Sequence, residues 1–366
     1  MLPTQDQFSE VFLSGAPLMD TRAPTEFSRG SFPGATNLPL MTDEERAAVG
    51  TCYKHSGQDA AIALGHKIVS GDTKAARIAA WAAFARSNPQ GYLFCFRGGL
   101  RSQIVQRWLA DEAGIVYPRI AGGYKAMRHF LMETTDRLSA QMPLQVVGGM
   151  TGTGKTELLQ RLGQSLDLEA CANHRGSGFG RRVSGQPSQI DFEHRIAQGL
   201  LKHEAQGHGG VVVEDEGQFI GRCSIPGSLY NRMQQAPILW LEDTFENRES
   251  RILKDYVIAQ RADHDAAYGA DGAERFATHL LDSLSRIKKR LGGERYERAR
   301  GAMIEALALQ ATTGNSEAHR GWIGLLLREY YDPMYVHQKS QKSARIMATG
   351  CADTLYEFLT KNRART

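Results

Sequence analysis

Residues 144–156 read LQVVGGMTGTGKT, and this stretch decides the fold of the second half of the chain. Residues 144–147 predict a short apolar strand, residues 149–156 match the pattern G-x-x-x-x-G-K-[ST], and a helical pattern follows. This order directs backbone N–H groups at a phosphate. The motif does not distinguish ATP from a diphosphate ester, and the alternative without function is a glycine-rich turn with a stray lysine. The residues predicted to bind phosphate are Gly149, Gly152, Gly154, Lys155 and Thr156.

Three acids end another predicted strand of this half. Residues 211–221 read VVVEDEGQFIG, in which an apolar run is followed by Glu214, Asp215 and Glu216. A carboxylate in this place can hold Mg²⁺ together with the Thr156 hydroxyl. We choose Asp215 for this role. Because side chains alternate along a strand whose end is not fixed, Glu214 and Glu216 stay open, as does a solvated strand end without a role.

A second candidate anion-binding loop lies in the first half of the chain. Residues 95–102 read CFRGGLRS and follow the apolar run at 92–94. A helix N-terminus and nearby guanidinium groups favour the thiolate form of a cysteine, so Cys95 is a candidate nucleophile. Arg97 and Arg101 are candidates to bind an oxyanion or to stabilise a sulfur-linked intermediate. The alternative is a small buried cysteine, although packing alone does not require the two glycines of the loop.

A third glycine-rich segment, residues 174–182, reads HRGSGFGRR. Its basic residues predict contacts to a diphosphate or to a nucleic-acid backbone, and a flexible surface turn is the alternative. These candidates are His174, Arg175, Arg181 and Arg182.

Seven cations and Tyr296 make residues 286–300 strongly basic. Such a helix face can follow a phosphate backbone while the aromatic ring stacks on a splayed base. Glu294 and Glu297 in the same segment fit a solvated charged helix equally well. The cations are Arg286, Lys288, Lys289, Arg290, Arg295, Arg298 and Arg300.

Length and composition limit the class of protein. A chain of 366 residues is long enough for two domains with separate cores, and 42% hydrophobic with 23% charged residues is typical of soluble proteins. Charges interrupt every apolar stretch, which excludes a membrane span. The five cysteines form no C-x-x-C pair, so we predict no structural metal and a reducing, cytoplasmic location.

Two domains are predicted, residues 1–133 and residues 144–366. The first alternates strands with helices such as 73–87, which favours an α/β sandwich, and the polar stretch 132–142 marks the boundary. In the second domain the pattern becomes almost wholly helical after Thr244. Its further predicted strands are 210–213 and 237–241.

Three segments add a resemblance to a known family. Residues 18–40, LMDTRAPTEFSRGSFPGATNLPL, look like the opening of a rhodanese domain, and residues 121–128, AGGYKAMR, are similar to its closing segment. Joined to a P-loop domain that carries ANHRGSGFG at 172–180, they resemble the bacterial tRNA 2-selenouridine synthases. The resemblance covers most of the chain. It implies an N-terminal rhodanese-like α/β domain followed by a P-loop α/β domain with a helical C-terminal region.

The resemblance also implies an activity, that of a selenium-inserting, tRNA-modifying transferase. Members of this family replace sulfur by selenium in 2-thiouridine at the wobble position of tRNA. The sulfur is first alkylated by geranyl diphosphate, and the geranyl-thiol is then displaced by selenium from selenophosphate. By resemblance, Cys95 matches the cysteine that carries selenium, and the P-loop holds the diphosphate with Lys155. Mg²⁺ at Thr156 and Asp215 is an optional addition.

One departure from ordinary rhodaneses concerns the cysteine loop. Their arginine follows the cysteine by five positions, whereas Arg101 follows Cys95 by six, as in cysteine phosphatases of the same superfamily. A longer loop makes a wider cradle, which fits the tetrahedral selenophosphate. The same spacing keeps open a rhodanese-like phosphatase or sulfurtransferase fused to a nucleotide-binding kinase domain. A third alternative is a nucleotide-gated RNA-binding protein with a structural cysteine.

Overall fold

The computed structural model describes residues 7–361 and contains nine strands and seventeen α-helices within them. The strands are β1 (Leu18–Asp20), β2 (Thr36–Asn37), β3 (Tyr92–Phe94), β4 (Leu144–Gly149), β5 (Val211–Glu214), β6 (Phe219–Ile220), β7 (Cys223–Ser224), β8 (Ile238–Leu241) and β9 (Ile346–Gly350). The helices are α1 (Phe8–Leu13), α2 (Pro24–Ser28), α3 (Asp43–Ile68), α4 (Gly71–Ser87), α5 (Leu100–Ala113), α6 (Gly123–Gln141), α7 (Lys155–Arg161), α8 (Leu168–Ala172), α9 (Gln189–Ala205), α10 (Gly227–Met233), α11 (Phe245–Ile252), α12 (Ala259–Tyr268), α13 (Gly272–Leu291), α14 (Gly293–Thr313), α15 (Arg320–Leu326), α16 (Asp332–Gln341) and α17 (Ala352–Lys361).

The chain divides into two compact units. The first comprises Met1–Leu138 and Ser188–Gln206, and the second comprises Ser139–Pro187 and Gly207–Thr366. The first change of unit falls inside α6, within the stretch 132–142 that the sequence predicts as a boundary. None of the helices among residues 7–361 has the length and apolar character needed to span a membrane.

A three-stranded parallel sheet in the order β2-β1-β3 forms the centre of the first unit. Met19 on β1 lies opposite Thr36 on β2 and Leu93 on β3. Buried apolar side chains cover the sheet, among them Trp81 of α4 and Leu109 of α5. This unit is therefore an α/β layered structure, and its assignment as a rhodanese domain stays a prediction.

Helix α9 packs in the first unit although it follows the P-loop in sequence. Its Ala197 joins the apolar cluster of α1 and α6, and the Asp191 carboxylate accepts a hydrogen bond from the Ser31 N–H at 2.8 Å. The Arg128 guanidinium binds Glu193 at 3.0 Å. The unit thus differs from the predicted range 1–133, because these contacts join α9 to elements distant in sequence.

His194 of α9 gives the first unit a pH-dependent stability. Its buried ring donates from Nδ1 to the Ser31 carbonyl at 2.6 Å, and Nε2 lies 3.4 Å from the Arg128 guanidinium. Burial lowers the pKa of His194 to about 4, so between pH 6.5 and 4 the unfolded chain binds a proton that the folded chain excludes. The stabilisation is complete above pH 6.5 and is lost as the pH falls toward 4.

We expect His194→Gln to reduce the fall in unfolding free energy between pH 7.5 and 5, by up to about 2 kcal/mol. Urea denaturation at both pH values measures this difference. His129→Gln on α6 is the matched control, because the His129 side chain is 66% exposed. An unchanged pH dependence in His194→Gln would contradict the assignment.

The second unit has a four-stranded, fully parallel sheet in the order β5-β4-β8-β9. Every residue of β5 and β8 is buried, as expected for strands of a parallel sheet in an α/β protein. The predicted strands at 144–147, 210–213 and 237–241 are confirmed within one or two residues. An α/β P-loop architecture is therefore present.

Between Thr244 and Lys361 the chain is mostly helical, apart from β9 and short connecting loops. Helices α11, α13, α14 and α15 pack around a second apolar core that includes Phe276, Leu284 and Trp322. Strand β9 has the sequence IMATG, is partly exposed along its length, and extends the sheet beside β8. Its short and weakly apolar sequence explains why the pattern alone does not predict it.

Candidate active site

Cys95 occupies the turn between β3 and the N-terminus of α5. Its side chain is 3% exposed, and its thiol donates to the Ser102 hydroxyl at 3.3 Å. The same hydroxyl donates to the Gly99 carbonyl at 2.9 Å. Ser102 on the first turn of α5 therefore fixes the orientation of the thiol.

The segment at 121–128 supports the cysteine loop from the side. The Tyr124 and Lys125 N–H groups donate to the carbonyls of Cys95 and Phe96, both at 2.9 Å. Gly98 has φ +62°, and a Cβ there would lie 2.6 Å from the Ile120 carbonyl oxygen, so only glycine fits this close approach. Backbone hydrogen bonds thus connect two segments that the sequence singled out separately.

The two predicted arginines of the loop have different surroundings. Arg97 is exposed. Arg101 is half-buried and donates to the Glu26 carboxylate at 2.7 and 3.3 Å. Burial opposes the charge of Arg101, but pairing with Glu26 and the nearby Cys95 and Asp20 raise its pKa overall. Arg101 therefore supplies a fixed positive charge near the thiol, while its guanidinium is held by Glu26.

The P-loop of the second unit connects β4 to α7. Lys155 Nζ donates to the Gly149 carbonyl at 3.1 Å, so the ammonium group lies against the backbone of the P-loop. Gly152 has φ +81°, and a Cβ there would lie 2.8 Å from the Arg248 carbonyl oxygen. The Arg251 guanidinium donates to the Gly152 carbonyl at 2.5 Å and to Glu157 at 3.0 Å. Helix α11 thus supports the loop.

A cavity of about 370 Å³ opens above this loop. Tyrosine rings and charged side chains of both signs line it, so it is polar. Its positively charged lining residues are Lys155, Arg175, Arg182, Arg251 and Lys254. Its carboxylates are Glu157, Asp167, Glu169, Glu216 and Asp255.

Glu216, and not Asp215, faces the P-loop cavity. Alternation along the end of β5 directs Asp215 to the other side, where both its oxygens accept from Lys342 at 2.7 and 2.6 Å. Glu214 is buried, and one of its oxygens accepts from the Leu168 N–H at 3.0 Å. The three acids therefore have three different partners.

Glu216 forms a hydrogen-bonded pair with Glu169 of α8. Burial is the main cause that raises the pKa of both carboxyl groups, the negative charge of Glu216 adds to the effect on Glu169, and Lys155 works against it. Two carboxyl groups in such contact share a proton near neutral pH. The pair can therefore take up or release a proton beside the phosphate-binding loop.

The residues expected to hold Mg²⁺ do not fit that role together. Thr156 lines the P-loop cavity, but Asp215 is bound to Lys342. Within residues 7–361, no cluster of three or more His, Cys, Asp or Glu side chains is suited to a metal ion. The lysine and arginine side chains that line the cavity supply its positive charge.

A neighbouring cleft of about 580 Å³ is cationic and shares Gly176, Ser177 and Arg182 with the P-loop cavity. Burial and the surrounding arginines lower the pKa of His174 to about 4, so its ring is neutral at pH 7. His174 Nδ1 and Arg182 Nε are buried without a hydrogen-bond partner in the described structure. An anion would find donors there. The basic residues of this cleft are His174, Arg181, Arg182, Arg222 and Arg286.

The loop at 174–182 is a tight turn and not a loose one, since the Arg175 N–H donates to the Gly180 carbonyl at 2.9 Å. The arginines of this loop that were predicted to contact a ligand line two different sites. Arg175 lines the P-loop cavity, Arg181 lines the cationic cleft, and Arg182 lines both.

The basic segment at 286–300 does not form the expected stacking surface. Tyr296 is 9% exposed within the helical core, and Lys288 Nζ lies 4.5 Å from its ring centre. Arg295 and Arg298 pair with Glu329. Only Arg286 among these cations lines the cationic cleft, so base stacking on Tyr296 is wrong.

Several residues of both sites were not singled out from the sequence. Ser102 and Glu26 lie within stretches that the sequence marked, but their contacts to Cys95 and Arg101 depend on the fold. Glu169, Arg251 and Lys254 carry no local motif. They reach the P-loop only because α8, α11 and the helical turn 253–258 that follows α11 pack beside it.

Comparison with known proteins agrees with this geometry. Residues 142–366 match the family model described as the tRNA 2-selenouridine synthase AAA domain. A tRNA 2-selenouridine synthase of Bordetella petrii is 57% identical over 97% of this chain and 95% of its own length. The proteins of that name from Pseudomonas putida and Azotobacter vinelandii are each 56% identical, over 98% and 96% of this chain and 97% and 95% of their own lengths. The chain therefore belongs to the tRNA 2-selenouridine synthase family.

Proposed function

We propose that this enzyme converts 2-thiouridine at the wobble position of tRNA to 2-selenouridine through an S-geranyl intermediate. The observation that carries the proposal is the presence of two separate anion-binding loops, one at Cys95 and one at Lys155, in two units of one chain. Two loops suit two co-substrates, geranyl diphosphate and selenophosphate. The compartment that fits a tRNA substrate is the cytoplasm.

The P-loop cavity suits the alkylation step. The thiouridine sulfur attacks the allylic carbon of geranyl diphosphate, the carbon–oxygen bond breaks, and its electron pair leaves with the diphosphate. The base loses its N3 proton in forming the neutral S-geranyl product. Lys155, Arg175 and Arg251 would stabilise the charge that develops on the departing diphosphate. Neither ATP nor phosphoryl transfer is needed.

The cationic cleft suits the tRNA backbone. Arg181, Arg222 and Arg286 line it, and no carboxylate is found among its described lining residues. Its overlap with the P-loop cavity at Arg182 would bring a bound phosphate backbone close to the diphosphate. These contacts support tRNA binding in the second unit.

The Cys95 loop suits the selenium step. Its thiol is held by Ser102, Arg101 provides a positive charge nearby, and the wide spacing of cysteine and arginine accommodates a tetrahedral donor. Cys95 would supply or position the selenium that displaces geranyl-thiol.

A reconstitution with the purified full-length chain tests this proposal. We expect thiolated tRNA and geranyl diphosphate to give an S-geranyl nucleoside, and further addition of selenophosphate to give 2-selenouridine, all without ATP. Chromatography with mass detection of digested tRNA measures both products. Release of phosphate without nucleoside modification, or a strict need for ATP, would favour the phosphatase or kinase alternatives instead.

A further inference from the structure

The first unit contains a cavity of about 770 Å³ that the proposed reaction has not yet used. It lies between α3 and one face of α5. Helix α3 is interrupted at Gly57, where φ is +82°, and its two halves lie side by side, since a Cβ built on Gly65 would be 3.9 Å from Val49. The volume falls within the range of small-molecule sites.

Helix α5 connects this cavity to the Cys95 loop. Leu100, Ile104 and Trp108 are four residues apart and form one wall. The same first turn of α5 carries Ser102, whose hydroxyl accepts from the Cys95 thiol. A group bound against Leu100 therefore lies beside the cysteine loop.

The cavity has apolar walls, and positively charged side chains lie beside them. Leu100 and Tyr53, which both line the cavity, are 43% and 57% exposed, so the cavity presents apolar surface to solvent. Arg46, Lys54 and Arg101 supply positive charge, and no Asp or Glu occurs among the described lining residues. Arg46 and Arg101 share the single carboxylate of Glu26, which leaves a net positive charge. The apolar walls are completed by Leu40, Met41, Val49, Ala61, Ile62 and Val69.

We propose that this cavity binds the geranyl group of S-geranyl-2-thiouridine in tRNA while selenium replaces it. The proposal rests on the proposed function. An apolar chain attached to a polyanion matches apolar walls surrounded by cations better than any fully polar or fully apolar ligand does.

The cavity would hold the leaving group of the second step. Selenium of selenophosphate, positioned at the Cys95 loop, attacks C2 of the base, a C2–Se bond forms, and the C2–S bond breaks. The electron pair leaves on sulfur, which takes a proton from water and departs as geranyl-thiol. Water then cleaves the P–Se bond and releases phosphate, so no oxidant or reductant is required.

Gly50→Trp is the variant that tests the cavity. Gly50 lines it on α3, and a Cβ added there meets no atom within 4 Å, so the indole can enter the space without a clash at its base. Ala48→Trp is the matched control, because Ala48 is exposed on the same helix and does not line the cavity. Thermal unfolding and binding of unmodified tRNA confirm that each variant is folded.

The measurement compares oligoribonucleotides that carry S-geranyl-2-thiouridine or S-methyl-2-thiouridine. We expect the wild type and Ala48→Trp to bind the geranyl form at least tenfold more tightly, a difference of about 1.4 kcal/mol. Gly50→Trp should lose this preference while retaining its affinity for the methyl form. It should also need at least tenfold more S-geranyl substrate for half-maximal selenation.

The possible outcomes distinguish a failure of the cavity assignment from a failure of the proposed function. If Gly50→Trp keeps the preference for geranyl, the cavity assignment is overturned and the proposed function stands. If the wild type fails to convert the S-geranyl oligonucleotide, the proposed function and the cavity assignment fall together. If Gly50→Trp changes the oligomeric state and leaves the geranyl preference intact, the cavity is a contact between copies of the chain, which also overturns the proposal.

Discussion

Lys155→Ala is expected to lose S-geranylation of thiolated tRNA by a factor of about a hundred or more. Lys155 is the P-loop cation whose ammonium group folds over the loop at Gly149, so its removal takes away a charge-assisted contact to the departing diphosphate. Such a contact is worth about 3 to 4 kcal/mol in a transition state. Initial rates of geranyl transfer at saturating tRNA measure the effect.

The fold should tolerate this change. Lys155 lowers the pKa of Glu169 and Glu216, so its loss lets the carboxyl pair bind protons more readily, which limits the buried negative charge that remains. Selenation of tRNA that already carries the geranyl group should stay near the wild-type rate. Arg290→Ala is a suitable control, since Arg290 is exposed and lines neither the P-loop cavity nor the cationic cleft. Normal geranylation by Lys155→Ala would show that the diphosphate binds elsewhere.

The P-loop could be predicted because all its parts are contiguous. The strand, the glycines, the lysine and the helix occupy residues 144–161, and the short-range geometry of such a segment depends little on the rest of the fold. The acid that faces the P-loop cavity could not be predicted in the same way. Asp215 and Glu216 are neighbours, and the choice between them depends on the register of β5 and on the distant Lys342.

The burial of Tyr296 could be predicted from the sequence. Tyr296, Ala299, Met303 and Ala306 recur at spacings of three and four on α14, which is the pattern of a buried helix face. The charges around Tyr296 instead favour an exposed position for it on the solvent side of the helix. Periodicity therefore decides the orientation of such a residue better than the local charge does.

Helix α9 shows why domain ranges cannot be predicted from the order of the chain alone. Its contacts are specific but individually small, such as Asp191 to Ser31 and Arg128 to Glu193, and none of them has a motif. The sequence places α9 inside the P-loop region, whereas packing assigns it to the first unit. A pattern of local propensities contains no information on contacts between residues far apart in sequence.

Cys95→Ser is expected to stop selenation and to accumulate the S-geranyl intermediate. The change keeps the size of the side chain and its position beside Ser102, but it removes the thiol that would supply or position the selenium. The P-loop cavity contains no part of this loop, so geranyl transfer should continue at the wild-type rate. Selenouridine should fall below detection, a loss of at least a hundredfold.

The measurement is chromatography with mass detection of nucleosides from tRNA incubated with both co-substrates, because the geranyl group makes the modified nucleoside far more apolar. Ser102→Ala is an informative companion. It leaves the Cys95 thiol in place but removes the hydroxyl that orients it, so selenation should slow without stopping. If Cys95→Ser forms no geranylated nucleoside while binding tRNA normally, Cys95 also takes part in the first step, and the division of the two half-reactions between two loops is refuted. Continued accumulation of the geranyl form would instead assign alkylation to the P-loop unit and selenium insertion to the cysteine loop.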